Sequence, residues 1–225
     1  MTTNLHFLHI SKCAGTQMAE IARGYNSLSK DSHIVKHPHS VRLQNLLPER
    51  YFFSIRNPVS RFFSAFYSRK RKGQPRTYFE WTSDEAIGFG EFEHANDLAE
   101  ALFDAETAAR SEAAFCAIRS ISHCNTNQIS WFPTRGNFLN SRPPYAIIRQ
   151  ENFRDDLREL SKRIGFDLTS LITDDDIKAH RNDYSDVPPL SEKAVVNLTR
   201  WYSQDVVFYA VCENWINRVI SPSKI

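Results

Sequence analysis

The chain has 225 residues, of which 41% are hydrophobic and 12% aromatic, so it is long enough to bury one substantial core. Its formal net charge of +2 is too small for bulk binding of nucleic acid, although basic residues cluster at positions 69–72. We interpret that cluster as a solvated helix end. The sequence therefore predicts a single domain over residues 1–225 without a nucleic-acid partner.

Hydropathy and cysteine spacing exclude further classes of protein. No stretch approaches about 18 consecutive apolar residues, and the first residues lack the basic and apolar regions of a secretory signal. The four cysteines form no Cys-x-x-Cys pair, which disfavours both a zinc site and a disulfide framework. We expect a soluble protein without a transmembrane segment, with the reducing cytoplasm as its compartment.

Apolar periodicity predicts strands that alternate with helices along the chain. The predicted strands cover residues 5–10, 33–36, 51–55 and 145–149, and the predicted helices cover 16–28, 58–69, 96–117, 152–164, 191–202 and 205–219. Residues 70–91 are polar, contain Gly and Pro, and are predicted to form a loop or lid. This order implies an α/β fold of three layers, in which helices flank a mostly parallel sheet of four or five strands. Ligands of such sheets bind at the carboxyl ends of the strands.

The helix at 58–69 has a clear apolar stripe. Asn57 is a suitable N-cap and Pro58 a suitable first helical residue. Apolar residues at helical spacing predict the buried face, and three polar residues are assigned to the opposite face: Arg61, Ser64 and Ser68.

Residues 11–16 form a candidate phosphate-binding turn between the first strand and the first helix. They read Ser-Lys-Cys-Ala-Gly-Thr, and successive backbone N–H groups in such a turn favour an anion, as does the N-terminus of the following helix. Lys12 adds a mobile cation. The pattern differs from the Gly-x-x-x-x-Gly-Lys-Ser/Thr loop of nucleotide triphosphatases, because Lys12 precedes Gly15 instead of following it. We therefore expect a ligand other than ATP.

A second candidate anion site follows the third predicted strand. Arg56 ends that strand, and Ser64 lies eight residues further on, about two helical turns away. An arginine can bind a phosphate through two parallel hydrogen bonds, and a serine hydroxyl can donate a third. Two anion sites at one edge of a sheet predict a single ligand with two phosphate groups.

The two segments together resemble motifs of the sulfotransferases that use 3′-phosphoadenosine 5′-phosphosulfate (PAPS). The likeness is greatest to the membrane-associated carbohydrate sulfotransferases and their bacterial relatives. The family motif Arg-Asp/Asn-Pro-x-x-Arg-x-x-Ser-x-Tyr/Phe matches residues 56–66 closely. The family turn Pro-Lys-Thr/Ser-Gly-Gly/Thr-Thr/Ser matches less well, because this chain has Ser11 for proline and Cys13-Ala14 for the hydroxyl residue and glycine. Ala14 matters if its position requires a positive φ, which disfavours a side chain.

The resemblance implies a fold like that of P-loop nucleotide-binding proteins and a metal-free transfer of a sulfuryl group. PAPS would be the donor and adenosine 3′,5′-bisphosphate the product, and the acceptor would be a hydroxyl of a saccharide or glycolipid. Lys12 would stabilise the charge that develops on the leaving oxygen. Ten residues would bind the donor: Ser11, Lys12, Cys13, Ala14, Gly15, Thr16, Gln17, Arg56, Ser64 and Arg181. His123 and Gln128 would line the acceptor pocket.

Transfer to a hydroxyl also requires a general base, and histidine suits that role near neutral pH. The segment Lys36-His37-Pro38-His39 lies where family members place a catalytic histidine. The family pattern selects His37, and His39 is the second candidate.

Several alternatives stay open at this stage. Arg56 could pair with Glu151 as a structural ion pair, Cys13 could act as a nucleophile beside a helix N-terminus, and the two histidines could bind a metal. The whole chain could be a P-loop kinase, although it lacks the Gly-Lys-Ser/Thr loop, or a catalytically silent nucleotide-binding module.

Overall fold

The computed structural model describes residues 3–46, 50–133, 137–173 and 184–220. The chain forms two compact units. The first comprises Met1–Asn57, Gln128–Arg181 and Val207–Ile225, and the second comprises Pro58–Asn127 and Asn182–Val206. The single domain that the sequence predicts stays a prediction.

The elements alternate along the described chain much as the apolar periodicity predicts. The strands are β1 (Thr3–Leu8), β2 (Ser32–Lys36), β3 (Tyr51–Ile55) and β4 (Ala146–Arg149). The α-helices are α1 (Gly15–Leu28), α2 (Pro58–Lys70), α3 (Ser83–Glu91), α4 (Ala95–Ala101), α5 (Ala108–Ser120), α6 (Phe138–Ser141), α7 (Phe153–Ile164), α8 (Glu192–Trp201) and α9 (Ser203–Ile220). No helix in these ranges is both long and apolar enough to cross a bilayer.

The first unit is built on a parallel sheet whose strand order is β2-β1-β3-β4. All three pairings are parallel, with Phe7 opposite Lys36 and Phe52, and Phe53 opposite Ile147. Every residue of β3 is buried, as expected for a central strand that is covered on both faces. The mostly parallel sheet of four or five strands is therefore confirmed.

Alternate residues of β1 point to opposite faces of this sheet, and each face has its own apolar cluster. Leu5 and Phe7 belong to a cluster that includes Met18 of α1 and Leu157 and Leu160 of α7. On the other face, residues of β1 and β3 cluster with one side of α9: Leu8, Phe53, Phe208, Cys212 and Ile216. Helices thus cover both faces, which confirms the three-layer α/β arrangement.

The second unit is helical, and its core is formed by side chains of α2, α3, α4, α5 and α8. Phe62 and Phe66 of α2 are buried there with Leu98, Ile118 and Leu198. The apolar stripe is not the only buried face of α2, because Arg61, Ser64 and Ser68, which were assigned to the opposite face, are all buried as well. Arg61 is 1% exposed and donates a hydrogen bond of 2.8 Å to the carbonyl of Thr126.

Three further predictions about this unit are corrected. Arg69 does not belong to a solvated helix end, since it is buried and forms an ion pair with Glu85. The predicted loop at 70–91 ends in helix α3, which begins with a capping box between Thr82 and Glu85. The single helix predicted at 96–117 is two helices, because the chain leaves α4 after Ala101 and reaches a left-handed conformation at Phe103, with φ 59°.

Candidate functional site

The turn after β1 has an unusual backbone. Lys12 and Ala14 both adopt left-handed conformations, with φ values of 65° and 59°. Such values are uncommon for residues other than glycine and cost about 1–2 kcal/mol each. The replacement of the family's glycine by Ala14 therefore matters, since this position does have a positive φ. Left-handed residues in a tight turn direct neighbouring backbone N–H groups toward one side, which is the geometry of an anion-binding concavity.

Cys13, between these two residues, anchors the turn to the sheet. Its side chain is buried, and its thiol donates hydrogen bonds to Oε1 of Gln128 at 3.3 Å and to the carbonyl of Ser11 at 3.5 Å. The hydroxyl of Ser54, on β3, donates to the carbonyl of Cys13. These contacts give Cys13 a structural role, because a buried thiol bonded in this way is not accessible to an electrophile.

Gln128 connects the turn to the end of β3. Its Oε1 accepts a hydrogen bond of 2.9 Å from the backbone N–H of Arg56, and its Nε2 donates one of 2.8 Å to the backbone carbonyl of Arg56. The side chain is 0% exposed. The buried amide is thus bonded to the backbone of Arg56 at both of its polar atoms, and the predicted contact of Gln128 with an acceptor stays a prediction.

Arg56, the arginine of the second predicted anion site, lies beside the turn at 11–16. Its guanidinium Nη1 lies 3.5 Å from the carbonyl oxygen of Lys12, at the outer limit for a hydrogen bond. The neighbouring backbone N–H of Asn57 donates to Oε1 of Glu151 at 2.8 Å, and the hydroxyl of Tyr209 donates to Oε2 at 3.1 Å. The two positive side chains predicted to bind anions therefore belong to adjoining segments at the carboxyl ends of β1 and β3.

The first turn of α1 contains a buried polar group that lacks a hydrogen bond. Gln17 is 7% exposed, and its Nε2 has no hydrogen-bond partner in the part of the chain that the structure describes. A buried donor without an acceptor is rare and requires an explanation. A ligand with acceptor oxygens bound at the start of α1 would supply one. Thr16, the preceding residue, is partly exposed in the same helical turn.

The histidines near the carboxyl ends of β1 and β2 form two pairs. Nδ1 of His6 lies 2.8 Å from Nε2 of His37, and the two rings stack with centroids 5.1 Å apart. Burial and the nearby His6 lower the pKa of His37. In the second pair, Nδ1 of His39 lies 3.2 Å from the backbone carbonyl of His9, and the ring centroids are 3.8 Å apart.

These pairings give the two candidate bases different chemistry. A carbonyl oxygen can only accept, so Nδ1 of His39 carries the proton in this hydrogen bond. The side chain of His39 is exposed. In His37, by contrast, Nε2 is bonded to His6. His39 is thus the more exposed of the two candidate bases, and the role of either histidine as the base stays a prediction.

Two of the remaining predicted site residues belong to the second unit. Ser64 is buried in α2 and His123 is partly buried after α5 with φ 69°, both in the second unit. Arg181 lies outside the described residues. Within the described ranges, no group of three or more His, Cys, Asp or Glu side chains is close enough to hold a metal ion.

No known family model matches this chain, and no curated protein matches it significantly.

His9 and Ser54, two residues that organise the site, were not predicted from the sequence. Both are polar residues in or just after otherwise apolar strand segments, and that break in the pattern is the signal that could have identified them.

Proposed function

We propose that this protein is a sulfotransferase that moves the sulfuryl group of PAPS to a hydroxyl of a saccharide or glycolipid. The observation that carries the proposal is the approach of Arg56 to the left-handed turn at Lys12, with 3.5 Å between Nη1 and the Lys12 carbonyl. This contact joins Arg56 and Lys12, one residue from each of the two segments that resemble the sulfotransferase motifs. It also supports a P-loop-like nucleotide site at the carboxyl edge of the sheet.

The residues at this edge are suited to a donor with two phosphate groups. The turn at 11–16 presents backbone N–H groups at the start of α1, and the unsatisfied amide of Gln17 can donate to a phosphate oxygen. Arg56 supplies a guanidinium that can bind a second phosphate. The roles that the resemblance gives to Ser64, Arg181 and His123 stay predictions.

Each proposed catalytic residue has one task. Bound PAPS would supply the sulfuryl group. Nε2 of His39 would take the proton of the acceptor hydroxyl, and Lys12 would neutralise the negative charge left on the phosphate oxygen when the bond to sulfur breaks. Transfer of this kind depends on positioning and charge neutralisation more than on covalent catalysis.

Two other functions make different predictions for the same site. A P-loop kinase would bind ATP with Mg²⁺, but the lysine of this turn precedes the glycine, and β3 is followed by Arg56 where such enzymes use an acidic residue. A silent binding module would bind the nucleotide without turnover.

Calorimetry first separates a kinase from the other two functions by nucleotide affinity. We expect adenosine 3′,5′-bisphosphate to bind, and ATP-Mg²⁺ to bind at least about tenfold more weakly. A tenfold difference in Kd corresponds to about 1.4 kcal/mol of binding free energy. Equal affinity for the two nucleotides, or no affinity for the bisphosphate, would overturn the proposal.

Activity then distinguishes an enzyme from a silent module. The protein is incubated with PAPS and a panel of oligosaccharides and glycolipids, and mass spectrometry detects the added sulfuryl group. We expect Lys12→Ala to lower kcat by about a hundredfold or more, the loss typical of removing a group that stabilises developing charge. Lys30→Ala, an exposed lysine after α1, is the matched control and should leave kcat unchanged.

A further inference from the structure

The side chain of His9 lies between the turn at 11–16 and His39. It follows β1, is 7% exposed, and its ring lies directly against Gly15, the first residue of α1. A Cβ atom at Gly15 would be only 1.7 Å from Nε2 of His9 and 2.1 Å from Cδ2. The glycine is therefore required by the ring beside it, since no side chain fits there while the ring stays in place.

The other side of His9 contacts His39 in two ways. The ring centroids of the two histidines are 3.8 Å apart with a tilt of 38°, and the backbone carbonyl of His9 accepts the Nδ1–H of His39. The carbonyl fixes the tautomer of His39, and the ring limits its orientation. A chain of contacts thus runs from Gly15 through His9 to the proposed base.

We infer that His9 is a positioning residue for catalysis, which holds the His39 ring in register with the turn that binds the donor. This inference rests on the proposed function. His9 is buried. Its effect is exerted through His39, because a base displaced by about 1 Å from its productive position can lose as much as a hundredfold in rate.

The second histidine pair supplies a matched control. Like His9, His6 lies in the first strand segment and contacts a histidine of the segment after β2. That partner is His37, whose Nε2 is already engaged. If stacking between histidines were merely structural, His6→Ala and His9→Ala would have similar effects.

The first test is a comparison of kcat, KM and affinity for adenosine 3′,5′-bisphosphate in wild type, His9→Ala and His6→Ala. We expect His9→Ala to lower kcat by about ten- to a hundredfold while the Kd for the bisphosphate changes by less than about threefold. His6→Ala should leave kcat within about threefold of wild type. Equal kcat in His9→Ala and wild type would overturn the inference. If His9→Ala does not fold, His9→Gln gives the same comparison with a side chain of similar volume but without the ring.

The second test uses the contact with Gly15. Gly15→Ala should lower kcat in the wild-type background, because the new methyl group displaces the His9 ring. In the His9→Ala background the same substitution has room, so it should change kcat by less than about threefold. An equal loss in both backgrounds would show that Gly15 acts independently of His9 and would contradict the inference.

A spectroscopic measurement separates failure of this inference from failure of the proposed function. Long-range ¹H–¹⁵N spectra of the histidine rings should show one sharp set of His39 cross-peaks in wild type and exchange-broadened ones in His9→Ala. The backbone carbonyl of residue 9 still holds the Nδ1–H tautomer in the variant, but the ring that limits the orientation of His39 is gone. If no sulfuryl transfer is found but this difference is present, the proposed function fails and the coupling of His9 to His39 stands. If wild type is active and the His39 cross-peaks stay equally sharp in His9→Ala, the inference fails alone.

Discussion

Gln128 holds the backbone of Arg56 at both of its polar groups, with Oε1 2.9 Å from the N–H and Nε2 2.8 Å from the carbonyl oxygen. The same Oε1 accepts from the thiol of Cys13. One buried amide therefore ties the end of β3 to the turn after β1. The relative position of the two candidate anion sites depends on this side chain.

We expect Gln128→Ala to destabilise the protein by about 2 kcal/mol or more, because it leaves buried polar groups without partners. Affinity for adenosine 3′,5′-bisphosphate should fall as well, since Arg56 loses its support. Urea unfolding and calorimetry measure the two effects. The control is Gln204→Ala, an exposed glutamine whose amide oxygen accepts a single hydrogen bond from Asn127, and it should change the free energy of unfolding by less than about 0.5 kcal/mol. Similar losses for both substitutions would contradict the bridging role.

Ala14→Gly tests the left-handed turn directly. Alanine at φ 59° costs about 1–2 kcal/mol, whereas glycine loses about 0.5–1 kcal/mol more conformational entropy on folding. The net expectation is a stabilisation of about 0.5 kcal/mol, measured by urea unfolding. Ala19→Gly, in the interior of α1, should instead destabilise the protein by about 1 kcal/mol. Destabilisation of the same size at both positions would show that Ala14 is not strained.

Local pattern predicted the sheet well but not the polar contacts between segments. The strand at 51–55 was predicted with its observed bounds, because an apolar run ends there at Arg-Asn-Pro. The hydrogen bond of Arg61 could not be predicted in this way. Its guanidinium donates to the carbonyl of Thr126, 65 residues away in sequence, and helical periodicity describes only neighbours along one helix.

The candidate site shows the same division. The turn at 11–16, Lys12 and Arg56 were predicted from residue type and spacing. The left-handed conformations were not, because lysine and alanine do not favour them and the turn contains a single glycine. The histidine pairs were also missed, since each joins a residue in or just after β1 to a residue after β2, and parallel pairing alone brings them together.

His37 should make stability depend on pH near neutrality. Its pKa in the folded protein lies below the ordinary value of 6.5, because burial and His6 disfavour the charged ring. The unfolded chain therefore binds a proton more readily, and the free energy of unfolding should decrease as the pH falls below about 6.5. Urea unfolding between pH 7.5 and 5.5 measures this slope. His37→Asn should flatten it, whereas the control His33→Asn should leave it unchanged. A slope that persists in His37→Asn would assign the dependence to another group.

The buried ion pair of the second unit should control its stability in acid. Burial alone would raise the pKa of Glu85, but hydrogen bonds from Arg69, from the N–H of Ser122 and from the N–H of Thr82 outweigh it and lower the pKa to about 2. The carboxylate therefore contributes stability that is fully present above its ordinary value of 4.5. That contribution is lost progressively as the pH falls toward 2.

Urea unfolding from pH 5.5 to 3 should show this loss, and Glu85→Gln should reduce the slope. At pH 7, Arg69→Met should destabilise the protein by about 3 kcal/mol or more, because it leaves a buried carboxylate unpaired. Asp155→Asn removes an exposed ion pair with Arg158 and serves as the control, with a much smaller effect expected. If Arg69→Met and Asp155→Asn destabilise the protein equally, the Arg69–Glu85 pair is solvated in solution and the second unit depends on its apolar cluster alone.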